Sequence, residues 1–168
     1  MDIKVINELL TKATQGKLKI YDKNDFNNEL SKVKENCRLQ KIFEILYNVD
    51  VYQSRQELEK IIKQNFPDLQ NPGLFNILLV FSEFATNMVK HGGGGKAEIF
   101  ILPNQIFMHF SDKGKGIDID KIPYIALSNY STIQDSLGFG FTICIQLSDS
   151  IIMNTGPQGT NILVNIKL

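Results

Sequence analysis

Glu83 and Asn87 lie four residues apart in Glu83-Phe84-Ala85-Thr86-Asn87, and on a helix that spacing puts both side chains on one face. A carboxylate beside an amide oxygen suits Mg²⁺, which takes hard oxygen ligands and keeps waters and phosphate oxygens around it. Two polar residues on the outer side of an amphipathic helix are the plainer reading. Asp112 opens a second stretch, Asp112-Lys113-Gly114-Lys115-Gly116, directly after an apolar run that ends at Ser111. A carboxylate at a strand end can accept a hydrogen bond from the exocyclic amine of adenine, and two glycines beyond it let the backbone pass close to a planar base. A glycine-rich turn with Asp as a turn residue explains the same letters. Lys113 and Lys115 fit solvated roles better than chemical ones. The third stretch is Ser136-Leu137-Gly138-Phe139-Gly140-Phe141 at the start of an expected helix. Glycines there expose backbone N–H groups at the positive end of the helix, where phosphate binds well. No Gly-Lys-Ser/Thr ends the stretch, so it is not a Walker A loop, and the surroundings of a dinucleotide fingerprint are missing.

These residues need elements to hold them. A long helix is expected from about Gly73 to Lys90, stopped by Gly92-Gly93-Gly94-Gly95. Runs at 97–102 and 106–111 flank Pro103-Asn104-Gln105 and read as a hairpin with a three-residue turn. A helix from about Gly140 to Leu147 and strands near 149–154 and 161–167 complete this half. Upstream, 42–51 reads as a strand, and Ser54 as the N-cap of a helix with Glu57 in a capping box. Pro67 ends that helix. The more polar first 42 residues offer one helix at 3–14 and another capped by Asp25 and reaching about Cys37. The expected fold class is α+β, a two-layer sandwich with one mostly antiparallel sheet covered by helices on one face. Residues 1–42 are expected to be an N-terminal helical extension, and 43–168 the main domain.

The totals exclude several classes. Eighteen basic and eighteen acidic side chains cancel, so no global field directs the chain to nucleic acid or to an anionic membrane. No apolar run approaches the roughly 20 residues of a membrane span, and the N-terminus shows no secretory signal pattern. Cys37 and Cys144 are isolated, which suits a reducing cytoplasm and offers no structural metal site.

Taken in order, Glu-x-x-x-Asn, then Asp-x-Gly-x-Gly, then Gly-x-Gly before a helix, then Gly159-Thr160 entering the last strand, the motifs resemble those of the GHKL (Bergerat-fold) ATPases over residues 43–168. Within that superfamily, the short stretch between the second and third motifs and Tyr130-Ser131-Thr132 are most similar to the Ser/Thr protein kinases of anti-sigma-factor and stress-response switch modules. The resemblance implies an ATP-dependent kinase with Mg²⁺ as cofactor. Its Glu83 would be the general base and Asn87 the Mg²⁺ ligand. Asp112 would read adenine, and Gly114 and Gly116 would give the base room. Ser131, Thr132, Gly138, Gly140 and Phe141 would surround the phosphates, and Thr160 would support adenine. The partner it implies is a STAS-type antagonist, with a sigma factor or phosphatase as further partners and a homodimer by analogy. His91 is expected at the nucleotide mouth, and His109 packed in its strand.

The chain departs from the sporulation-type kinases where they carry an arginine just before the glycine pair. Here Ser136 and Leu137 stand in its place, which removes a phosphate-neutralising cation. That departure keeps a second function open, a nucleotide-gated binding protein, such as an anti-sigma factor or an activator, without phosphotransfer.

Overall fold

A computed structural model of the chain describes residues 2–126 and 138–168, and for 138 and 139 the backbone only. Its elements run α1 (Ile3–Thr14), β1 (Leu18–Ile20), α2 (Lys23–Asn36), β2 (Arg38–Ile45), α3 (Asn48–Asn65) and α4 (Gly73–Gly92). After them come β3 (Gly95–Leu102), β4 (Gln105–Asp112), a 3₁₀ turn at Ile119–Lys121, α5 (Ile122–Ala126), α6 (Gly138–Leu147), β5 (Ser150–Gly156) and β6 (Gly159–Lys167). The strands form one sheet in the order β1-β5-β6-β4-β3-β2. Among the described residues, only β1 and β5 pair in parallel. The expected α+β sandwich is what forms.

Side chains alternate across each strand, so one face of the sheet carries Phe43, Ile45, Ala97, Ile99, Met108, Phe110, Ile162, Val164, Ile151 and Met153. Five helices close over it. Ile6 and Leu10 of α1, Leu58 and Ile62 of α3, Phe81 and Phe84 of α4, Ala126 of α5 and Phe141 and Cys144 of α6 join those residues in one core. The opposite face is not bare. There α2 lays Phe26 and Val33 on Phe100 and Leu163, forming a second, smaller core. Sequence periodicity gives α2 an apolar stripe but does not say which side of the sheet the stripe meets.

Four local expectations shift. The helix expected to start at Ser54 begins at Asn48, because Asp50 accepts from the backbone N–H groups of Leu46 and Tyr47 and caps it there. Ser54 lies inside that helix on its buried face, in register with Val51, Leu58 and Ile62. The strand before it therefore ends at Ile45 instead of 51. Asp22 takes the N-cap expected of Asp25, accepting from the Asp25 N–H at 2.8 Å. In the hairpin, Leu102 pairs with Gln105, leaving a two-residue turn where three were expected. The expected division at residue 42 falls inside β2, and Ile6, Leu10, Leu18 and Ile20 share the main core.

The short edge strand β1 is closed by side chains from α1. Asn7 donates its amide to the Ile20 carbonyl and accepts from the Ile20 N–H, both at 2.8 Å, so its carboxamide acts as one more rung of the ladder. Thr14 Oγ1 accepts from the Leu18 N–H at 3.1 Å. Asn7→Ala is therefore expected to cost about 2 kcal/mol, since two part-buried backbone groups lose their partners. Urea unfolding would show this as a lower midpoint with unchanged slope.

Candidate functional site

The core positions the site from below. Phe84 on α4 packs against Phe110 on β4 and Phe141 on α6, with ring centroids 5.3 and 5.8 Å away. Above these rings opens a small cleft. Asn87, Met88 and His91 of α4, Asp112 at the end of β4, Gly116 and Ile117 beyond it, and Thr160 and Ile162 of β6 line its walls. An apolar floor with a few placed polar groups is what a flat heteroaromatic ligand needs.

Asp112 is the fixed point of the cleft. Its Oδ1 accepts from the N–H of Gly114 at 2.8 Å and from the N–H of Thr160 at 3.2 Å. Oδ2 has no protein partner among the described residues. The carboxylate is thus oriented by one oxygen and can offer the other. Thr160, which is buried, is held in turn by a hydroxyl–hydroxyl bond of 3.0 Å to Thr155, and Thr155 Oγ1 accepts from the Ile117 N–H at 2.7 Å.

Glycines make this convergence possible. A Cβ on Gly159, where φ is +120°, would lie 2.0 Å from the Asp112 carbonyl oxygen, and one on Gly92 2.5 Å from the Asp112 Cβ. At Gly116, φ is +74° and a Cβ would meet the Gly156 carbonyl oxygen at 2.1 Å. A Cβ on Gly114 would strike the end of α4, 2.6 Å from the Gly92 Cα. Clearance between neighbouring backbones thus already demands both glycines expected to make room for a base.

The remaining expected residues divide by location. Asn87, Asp112, Gly116, Phe141 and Thr160 come together on the cleft wall. Glu83, one turn before Asn87, turns to α6 instead, where a Cβ on Gly140 would lie 2.0 Å from Glu83 Oε2. Gly138 is the first residue of α6. Ser131 and Thr132 fall outside the described residues. Burial pushes the Cys144 thiol well above its ordinary range, and the negative charge of Glu83 adds to the effect. His91 does line the cleft, and its Nε2 is buried with no hydrogen-bond partner among the described residues. Thr155 and Gly92 were not legible as site residues. Only the threonines placed symmetrically in Thr155-Gly156 and Gly159-Thr160 hinted at a cross-strand pair.

Residues 75–168, more than half of the chain and all of the cleft, match the sequence profile of the histidine kinase-, DNA gyrase B- and HSP90-like ATPases. The chain belongs to that family. A search among curated proteins found no match. Membership of this ATPase family agrees with the α+β sandwich. None of the helices among the described residues is long and apolar enough to cross a membrane.

On the outer face, away from the cleft, lies a second polar cluster. His109 Nδ1 is 2.6 Å from Glu98 Oε2, and His109 Nε2 is 3.2 Å from Asn161 Oδ1. Lys34 of α2 approaches Glu98 Oε1 at 3.5 Å, and Phe26 packs against the imidazole. The hydrogen bond from His109 holds the Glu98 carboxyl below the usual carboxylate range, with the charges of His109 and Lys34 adding to it against the cost of burial.

Proposed function

We propose that the chain is an ATP-dependent protein Ser/Thr kinase of the anti-sigma or stress-response switch type, acting on a STAS-domain antagonist. The observation that carries the reading is Asp112, oriented through Oδ1 by two backbone N–H groups, with no protein partner on Oδ2 among the described residues, and lining a cleft with Asn87 and Thr160. A fixed acceptor of this kind suits the exocyclic amine of adenine, and the aromatic floor suits its ring. Asn87 is the residue that would hold Mg²⁺, by its amide oxygen, with phosphate oxygens and water completing the shell. Bound MgATP would supply the phosphoryl group. The work of the chain is to position the acceptor and take its proton, with Glu83 as the base once its carboxylate reaches the acceptor hydroxyl.

Calorimetric titration with ATP, with and without Mg²⁺, tests the site. Binding that needs Mg²⁺ and weakens in Asn87→Ala is expected, and no binding under either condition would end the reading. Transfer of ³²P from ATP to a co-purified STAS partner tests the kinase, and Glu83→Ala should abolish it while binding persists. The orientation of Glu83, toward α6 and not the cleft, favours a second reading, a nucleotide-gated binding protein without phosphotransfer. A partner whose affinity differs between the ATP and ADP forms, yet which never gains phosphate, would select it.

A further inference from the structure

Thr155 and Thr160 are cross-strand partners on β5 and β6, and by strand alternation both stand on the helix-covered face, in step with Met153 and Ile162. Thr160 and Ile162 line the cleft. Thr155 stands on the strand beyond them and joins two parts of the wall. Its Oγ1 accepts from the Ile117 N–H at 2.7 Å and shares a bond of 3.0 Å with Thr160 Oγ1. The Thr160 N–H donates to Asp112 Oδ1 at 3.2 Å, so Thr160 and the carboxylate are neighbours at the cleft.

A hydroxyl has one hydrogen and two acceptor positions, so the threonine pair has two hydrogens for one mutual bond. Which hydroxyl donates decides where the spare hydrogen goes. The Ile117 N–H polarises Thr155 Oγ1, and a hydroxyl that accepts one hydrogen bond becomes the stronger donor of the next. Thr155 therefore donates to Thr160. The spare hydrogen is left on Thr160, the residue that lines the cleft beside Asp112. Were the bond reversed, Thr155 would take two donors and Thr160 would have only lone pairs to offer a ligand.

We propose that Thr155 is a specificity-determining positioning residue, which makes Thr160 a hydrogen-bond donor toward the cleft and so selects purines whose N1 is an acceptor. This role rests on the nucleotide reading of the cleft. Adenine carries its 6-amino hydrogens and the N1 lone pair side by side on one edge. An edge that gives a hydrogen to Asp112 Oδ2 therefore asks for a donor next to it. A purine with hydrogen on N1 sets donor against donor there and leaves the hydroxyl unpaired.

Calorimetric titration with MgATP and with its 1-deaza analogue, in which C–H replaces N1, isolates this contact, because the amino group facing Asp112 is unchanged. The unsubstituted chain should bind the analogue roughly fivefold more weakly, the size of one neutral hydrogen bond. Thr155→Val keeps nearly the same shape but removes the hydroxyl, so Thr160 loses the partner that fixes its hydrogen. In that variant the preference for MgATP over the analogue should shrink to about twofold or less, and Thr155→Ser should restore it. Stranding the Ile117 N–H also lowers the stability of the valine variant, but a purely structural loss weakens both nucleotides alike and leaves their ratio untouched. An unchanged ratio in the valine variant would overturn the role. So would equal binding of the two nucleotides by the unsubstituted chain, a comparison that needs no variant to fold. Failure of the unsubstituted chain to bind MgATP at all would remove the nucleotide reading and this role together, a result distinct from the other two.

Discussion

Asp112→Ala is expected to abolish measurable ATP binding. The substitution removes the acceptor offered to the base and also strands the N–H groups of Gly114 and Thr160, which Oδ1 now pairs. Each stranded donor costs about 1–3 kcal/mol, so the alanine variant should also unfold at lower urea, and lost binding alone would not separate recognition from scaffolding. Asp112→Asn separates them. It keeps an oxygen for the two backbone donors and puts an amide donor where Oδ2 now stands. An adenine amine then faces a donor instead of an acceptor, and ATP affinity should fall on the order of a hundredfold at near-normal stability. A 6-oxo purine nucleotide such as ITP should bind that variant better than ATP does. Calorimetry with ATP and ITP checks both outcomes, and ATP affinity equal to that of the unsubstituted chain would show that Asp112 does not read the base.

The largest effect away from the cleft is expected at Glu98. Both Glu98 and His109 are buried under α2, so Glu98→Ala leaves the imidazole without its carboxylate and Lys34 without its partner. Breaking a buried pair on one side costs about 3 kcal/mol, far more than losing an exposed ion pair. Replacing both residues with leucine should recover most of that loss, since an apolar pair leaves no stranded charge and extends the contacts of Phe26, Phe100 and Leu163. A double-mutant cycle in urea would measure the coupling, and additive losses would mean the pair contributes nothing of its own.

The same cluster sets an acid limit. The folded-state pKa of Glu98 lies below the ordinary glutamate value, so on acidification the unfolded chain takes up the proton first. The contribution is complete above the ordinary carboxylate range, at about pH 4.3, and is lost as pH falls through the lowered folded value. Glu98→Gln should therefore flatten the acid limb of a stability–pH profile and leave the neutral limb parallel to that of the unsubstituted chain.

The sequence by itself determined the chemistry-bearing motifs and most of the elements that carry them. Four-residue spacing on a long apolar helix, glycines beyond a strand and a glycine pair at the start of a helix are local patterns, and local patterns survive without knowledge of the partner. The boundaries of α1 and the start of α4 follow from the same periodicity. Only the tertiary structure decided which face each element meets. The apolar stripe of α2 could have packed on either side of the sheet, and it is the outward alternation of Phe100, Phe107 and Leu163 that gives it a place. The α3 boundary moved because Asp50 caps the backbone of Leu46 and Tyr47, while Ser54, equally good as a cap by type, is carried into the buried face. At the site, the sequence named Asp112 and Thr160 but not the bond between them, which spans 48 residues and exists because β4 and β6 are neighbours. The approach of Glu83 to Gly140 joins two helices in the same way. Such contacts depend on strand order and helix packing, which no window of sequence contains, so the site residues were legible one by one and their arrangement was not.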